Sequence, residues 1–178
     1  MSPTALTAVL IGPMAAGKTA VGRELARRLR EPFADLDALI VQEAGKPIAQ
    51  IFAEDGEDHF RDLEAQLLAV ALSTRTGVLA LGGGAPMRPE SAALLRGCPV
   101  VLLQVDEQIV QARLRRAQDR PLLSGEDPLR RWREISERRM PHYRDLACWT
   151  VDSDGSPPAA VARRIHDLIL EREAKVSP

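Results

Sequence analysis

Cysteine and histidine are scarce in this sequence: two Cys (Cys98, Cys148) and three His (His59, His142, His166) are spread over 178 residues. None of them shows metal-ligand spacing. That argues against a zinc centre or a disulfide framework and fits reduced thiols in the cytoplasm. Long apolar runs are also missing. Val100 to Leu103 is typical of the longest, and a bilayer span needs about 20 residues, so no membrane partner is expected. The opening MSPTALTAVLIGP has no basic n-region, so no secretory signal is expected. Lysine is rare, with 3 Lys against 21 Arg, and the net charge of −1 gives no bulk reason to expect nucleic acid as a partner. Ten of the Arg fall between Arg113 and Arg144. That is too many for one small ligand, so the expectation is a mixture of solvated helix residues and some that face a polyanion. Hydrophobic content of 45% and charged content of 28% are ordinary, and the length suits one domain over residues 1–178, with nothing that demands more than a monomer.

Strand-like and helix-like segments alternate. Apolar runs predict strands at Thr7 to Ile11, Phe33 to Leu36, Val78 to Leu81, Val100 to Val105 and Trp149 to Val151. Between them, Thr19 to Leu29 places Val21, Leu25 and Leu29 on one helical face. Helices are also predicted from Pro47 to Phe52, from Glu57 to Leu72, from Asp106 (as cap) to Arg116, and from Leu129 to Arg139, the last stopped by Pro141. Pro157-Pro158 opens a terminal helix that frays after Arg172. Five short buried strands alternating with helices imply an α/β fold, a parallel sheet covered on both faces. No internal repeat or low-complexity segment interrupts it.

Gly12 to Thr19 reads GPMAAGKT and fits G-x-x-x-x-G-K-[ST] directly after a strand and at the start of a helix. In that context the backbone N–H groups of Ala15, Ala16, Gly17, Lys18, Thr19 and Ala20 can face phosphates at the helix N-terminus. Lys18 can reach the β- and γ-phosphates, and the Thr19 hydroxyl can ligate Mg²⁺. The pattern does not say what happens to the nucleotide. A guanine-reading N-K-x-D is absent, and a motor normally belongs to a longer chain, so a small-molecule kinase leads. Such an enzyme also needs a carboxylate near the acceptor hydroxyl, groups that grip the acceptor, and a lid. The second strand ends in Asp35-Leu36-Asp37, and strand alternation points both carboxylates the same way.

These features, in order along the chain, resemble the shikimate kinase family. The matching stretches are Asp35-Leu36-Asp37, then Phe60-Arg61-Asp62-Leu63-Glu64, Gly82-Gly83-Gly84, Arg120-Pro121-Leu122-Leu123, and Arg139-Met140-Pro141-His142-Tyr143. The resemblance runs from about Ala8 to Leu170 and implies a three-layer phosphate-loop kinase fold with strand order 2-3-1-4-5. It implies an acceptor-binding segment at about 34–64 and a lid at about 115–127, a segment whose Gly125 and polar neighbours suit a closing flap. It implies transfer of the ATP γ-phosphate to the 3-hydroxyl of shikimate, with Mg²⁺. Asp37 would orient or deprotonate the attacking hydroxyl. Arg61 and Arg139 would clamp the carboxylate, with Glu64 steadying them, and Asp35 would hold a water of the Mg²⁺ shell. Arg120 would reach the transferring phosphate, and Arg113 and Pro158 would flank the adenine. Gly82, Gly83 and Gly84 would floor the acceptor pocket with bare backbone.

The chain departs from the family pattern twice. Ala15-Ala16 stand where many members have a glycine-first G-x-G-K-S, and no Arg follows the last strand in Asp152-Ser153-Asp154-Gly155-Ser156. Two other readings stay open at this stage: a nucleotide-binding regulator, and a kinase of another small hydroxy acid such as gluconate.

Overall fold

The computed structural model describes residues 5–114 and 127–176. Its centre is β1 (Leu6–Ile11), flanked in parallel by β3 (Gly77–Ala80) and β4 (Val100–Gln104). β2 (Phe33–Asp35) pairs with β3, and β5 (Trp149–Asp152) pairs with β4, also in parallel, so the order is β2-β3-β1-β4-β5. The implied order and the parallel α/β architecture are both observed.

Alternation along the strands divides the core between the two faces of the sheet. Val100 and Leu102 of β4 enter one cluster, whereas Val101 and Leu103 enter the other. The first cluster also takes residues from α2 (Leu36–Ala44), α3 (Ile48–Glu54), α4 (Gly56–Thr74), α5 (Pro89–Leu95) and α7 (Pro128–Leu146). The second is closed by α1 (Lys18–Leu29) and α8 (Pro158–Val176), through Val21, Leu25, Val161 and Ile165. Each fully buried aliphatic side chain contributes about 1.5–3 kcal/mol. In β1 the register shifts between Leu6 and Ala8, which puts Leu6 and Val9 in the same cluster despite their odd spacing. The short α6 (Glu107–Leu114) precedes residues 115–126, so most of the expected lid, and Arg120, lie outside the described residues.

Several expectations need correction. α7 does not stop at Pro141 but continues to Leu146. An internal proline costs a helix about 3 kcal/mol. Here the turn beyond it buries Tyr143 and Leu146 in the core, which offsets that cost. β2 ends at Asp35, and Leu36 already begins α2, a helix that the strand reading of Asp35-Leu36-Asp37 concealed. α5 was likewise not anticipated, and α8 continues past Arg172 to Val176. Cys98 and Cys148, 50 positions apart, meet where β4 and β5 begin: the Cys148 thiol lies 3.3 Å from the Cys98 carbonyl oxygen, and both are free.

Candidate active site

The carboxyl ends of β1, β2 and β3 lie side by side in the sheet, and the predicted site residues follow directly from them. After β1 the chain turns through Gly12 at φ 141, where a Cβ would strike the Leu103 carbonyl oxygen of β4. The loop then passes through left-handed Ala15 (φ 65) and Gly17 (φ 89), and Gly17 starts α1 with no side-chain cap. Without a side-chain cap, the N-terminus of α1 opens on the loop, the arrangement in which helix N-termini hold phosphate. Lys18 folds over the loop and donates to the carbonyls of Gly12 and Pro13, each at 2.8 Å. Ala16 is buried beneath, and Ala20 is exposed on the first turn.

Asp35 ends β2 and caps α2, its Oδ1 accepting from the Asp37 N–H at 3.0 Å. Its other oxygen accepts from the Thr19 hydroxyl at 2.6 Å. The two carboxylates therefore do not share a strand face. Asp35 turns to the phosphate loop, and Asp37 rides the first turn of α2 toward the glycines after β3. Desolvation raises the Asp37 carboxyl above its ordinary range. Asp35 adds to the rise, and Lys18 and Arg61 oppose it.

α4 presents Phe60, Glu64, Leu68 and Leu72 to the core at four-residue spacing. Glu64 is a charged residue within that apolar stripe, and its side chain is 5% exposed. It accepts from Arg61 Nη1 at 2.7 Å, and the Arg61 guanidinium lies 5.0 Å from the Phe60 ring centre. Burial raises the Glu64 carboxyl, and Arg61 works against that rise.

Gly82, Gly83 and Gly84 bring these groups together. A Cβ on Gly82 would sit 2.7 Å from Asp37 Oδ1 and 3.3 Å from Glu64 Oε1. One on Gly83 would sit 3.3 Å from both Arg139 Nη1 and the Tyr143 hydroxyl, and 3.5 Å from the Gly12 carbonyl oxygen. One on Gly84 would lie 2.7 Å from Arg61 Cζ. None of the three has a left-handed backbone. Space for other side chains, rather than backbone freedom, is what requires glycine here. The carbonyls of the turn are all engaged: Gly82 by the Ala85 N–H at 3.2 Å, Gly83 by the Tyr143 hydroxyl at 2.6 Å, and Gly84 by the Met87 N–H at 3.0 Å.

Tyr143 is a site residue to which the sequence reading gave no role. It is the only Tyr in the chain and fully buried, and burial raises its phenol. Its signal was present in the Arg139 to Tyr143 stretch, where i,i+4 spacing puts both on one face of a helix only if α7 passes through Pro141. Arg113 lies at the phosphate loop, its guanidinium donating to the Ala15 carbonyl. Pro158 opens α8.

A glycine loop between a buried strand and a helix, carrying a lysine and a threonine and set beside a half-buried carboxylate and two arginines, defines a phosphate-loop kinase of small molecules. The family model for shikimate kinase matches residues 14–170. A shikimate kinase from Saccharopolyspora erythraea is 44% identical over 98% of each chain. The chain belongs to the shikimate kinase family. Among solved structures, a shikimate kinase from Acinetobacter baumannii in complex with shikimate aligns at a TM-score of 0.89 and 36% identity over 93% of each chain. A gluconokinase from Sinorhizobium meliloti 1021 reaches a TM-score of 0.60 at 19% identity, over 97% of this chain and 98% of that one, which is a likeness of fold alone.

Proposed function

We propose that the residues around Gly82–Gly84 hold shikimate while Gly12–Thr19 hold ATP, within one kinase domain spanning residues 1–178. The reaction is phosphorylation of the shikimate 3-hydroxyl by ATP, giving shikimate 3-phosphate and ADP, a step of chorismate and aromatic amino-acid biosynthesis. One observation carries the placement. The three vacant Cβ positions of the glycine turn face Asp37, Arg139 and Arg61 in sequence, and the middle one is 3.5 Å from the phosphate-loop carbonyl of Gly12. Acceptor and donor sites therefore share a wall.

Arg61 and Arg139 clamp the acceptor carboxylate with paired N–H donors. Glu64 fixes the Arg61 fork in place before substrate arrives. Because the turn's carbonyls are engaged elsewhere, its N–H groups are the backbone atoms offered to the ring. Asp37 accepts a hydrogen bond from the attacking hydroxyl, and its raised proton affinity suits it to take that proton as the new P–O bond forms. Lys18 leaves the Gly12 and Pro13 carbonyls to neutralise the transferring phosphate, and Arg120 of the lid (about 115–127) joins it there. Arg113 and Pro158 flank the adenine.

Thr19 and Asp35 form the fit for Mg²⁺: a hydroxyl and a carboxylate oxygen converge at 2.6 Å, both hard oxygen ligands, beside the phosphate loop. Thr19 would ligate the ion directly and Asp35 through water. The ion, when bound, neutralises charge on the β- and γ-phosphates. Among the described residues no helix is long and apolar enough to cross a membrane, and the large exposed apolar side chains are single ones, Val41, Val70 and Leu170. Scattered single apolar side chains support a monomer, and ATP as co-substrate supports the cytoplasm as its place of work.

Coupled detection of ADP tests the reading. Release should require shikimate, should not be supported by gluconate, and should be lost in Asp37→Asn. ADP release at the same rate without any acceptor would support a nucleotide-binding regulator instead.

A further inference from the structure

The carbonyls of Gly12 to Ala15 in the phosphate loop are each held by a side chain. Lys18 takes those of Gly12 and Pro13, Arg113 takes that of Ala15, and the indole N–H of Trp132 donates to that of Met14 at 2.9 Å. A peptide unit is planar, with C=O and N–H pointing opposite ways. Whatever draws the Met14 carbonyl outward therefore aims the Ala15 N–H into the loop, whereas the next N–H, of Ala16, turns back to the Pro13 carbonyl at 3.4 Å. Lys18 is the group that has to leave its carbonyls when a phosphate arrives, and Arg113 already has a duty at the adenine. Trp132 has neither conflict.

Its packing fits the same purpose. Trp132 is 7% exposed and forms a small cluster with Ala15 and Val110, edged by Met14, Leu129 and Ile135. Ala15 sits at φ 65, a left-handed conformation that an alanine enters only at a cost. A bulky ring against its methyl group, and a hydrogen bond on the preceding carbonyl, hold it there. Trp132 stands on the same buried face of α7 as Ser136 and Tyr143, so one helix face engages carbonyls of both glycine loops, Met14 and Gly83.

We infer that Trp132 is a positioning residue for nucleotide binding: its indole N–H holds the Met14 peptide so that the loop's N–H groups face the phosphates before ATP binds. This rests on the reading of Gly12–Thr19 as the phosphate loop. Trp132→Phe keeps an aromatic ring and removes the donor to the part-buried Met14 carbonyl. The expected result is a rise of about 5- to 100-fold in the Kd for ADP and the KM for ATP, with the shikimate KM within about twofold of wild type. An ADP Kd within about twofold of wild type overturns the inference, whatever the variant's melting temperature. Lys18→Met separates the two claims. If it binds ADP like wild type, the loop reading itself fails. If it loses ADP while Trp132→Phe keeps wild-type affinity, only the role of Trp132 fails. Should Trp132→Phe not fold, Trp149→Phe leaves Trp132 as the sole indole in the chain. Its emission should then change saturably with ADP and not with shikimate alone, and a flat titration with ADP overturns the inference.

Discussion

Replacing Gly84 with alanine isolates what Arg61 contributes. Gly84 has φ −88 and ψ −22, which alanine adopts without strain. The new Cβ would lie 2.7 Å from Arg61 Cζ and closer still to its Nη1, against about 3.4 Å for ordinary contact, so the guanidinium must retreat by about 1 Å. It is the far end of a flexible side chain, and the fold should lose less than about 1 kcal/mol, or roughly 2–4 °C in Tm. Substrate binding should suffer far more. A shift of about 1 Å strains the 2.7 Å bond to Glu64 and misaims a fork whose paired bonds to a carboxylate contribute about 1.5–3 kcal/mol. The shikimate KM should therefore rise about 10- to 100-fold, with the ATP KM within about twofold. Gly97→Ala is the control: φ is 88 in open space, so backbone strain lowers Tm while both KM values stay put. A shikimate KM within twofold of wild type in Gly84→Ala would refute the placement of Arg61 on the acceptor.

Gly82→Ala brings its Cβ within 2.7 Å of Asp37 Oδ1, so it should lower kcat about tenfold or more with a smaller effect on KM, read by steady-state kinetics. Asp37→Asn should raise Tm at pH 7 while abolishing turnover. Burial, with Asp35, raises the Asp37 pKa, so the folded state holds this proton more tightly than the unfolded chain does. Its stabilising share is complete below the ordinary value of 3.8 and is lost as pH rises through the raised one, so the Asn variant gains at neutral pH and loses that gain near pH 3–4. Thermal melts across pH read this directly, and no gain at pH 7 contradicts the stated cause. Glu64→Gln removes the charge that faces the Arg61 guanidinium but keeps an acceptor oxygen for it. Because burial raises the Glu64 carboxyl, the variant should lose no stability in denaturant melts at pH 7, while a loosened Arg61 fork should raise the shikimate KM. Thr19→Val keeps the shape of the side chain but removes the hydroxyl that faces Asp35, so the Mg²⁺ concentration for half-maximal activity should rise about tenfold.

The features legible in the sequence were the local ones. The strand before Gly12, the glycine loop and the Val21-Leu25-Leu29 face of α1 each declare themselves within a dozen residues. Parallel strands followed from buried apolar runs separated by helix-length segments. Asp35-Leu36-Asp37 misled, because a period of two fits a strand. The competing signal, an Asp cap before Leu36 and Ile40 at helical spacing, carries the true geometry. Pro141 misled for a different reason. Local chemistry says stop, and only the burial of Tyr143 and Leu146 across the core overrides it. Glu64 was legible in principle, since a carboxylate at a core position of an amphipathic helix demands a partner. The contacts of Trp132 with Met14 and Tyr143 with Gly83 span 118 and 60 positions, and no local pattern announces them. In the sequence the three glycines look like bare backbone that admits a ligand. Their vacant Cβ positions are filled first by Asp37, Arg139 and Arg61.

The most direct test of the shared wall between acceptor and phosphate loop is shikimate-dependent ADP release by wild type, Arg61→Ala and Arg139→Ala under the same saturating ATP. Wild type should turn over only with shikimate, and each arginine variant should need at least about tenfold more shikimate with its ATP KM unchanged. Loss of ATP affinity with the shikimate KM intact, in either variant, would contradict the account.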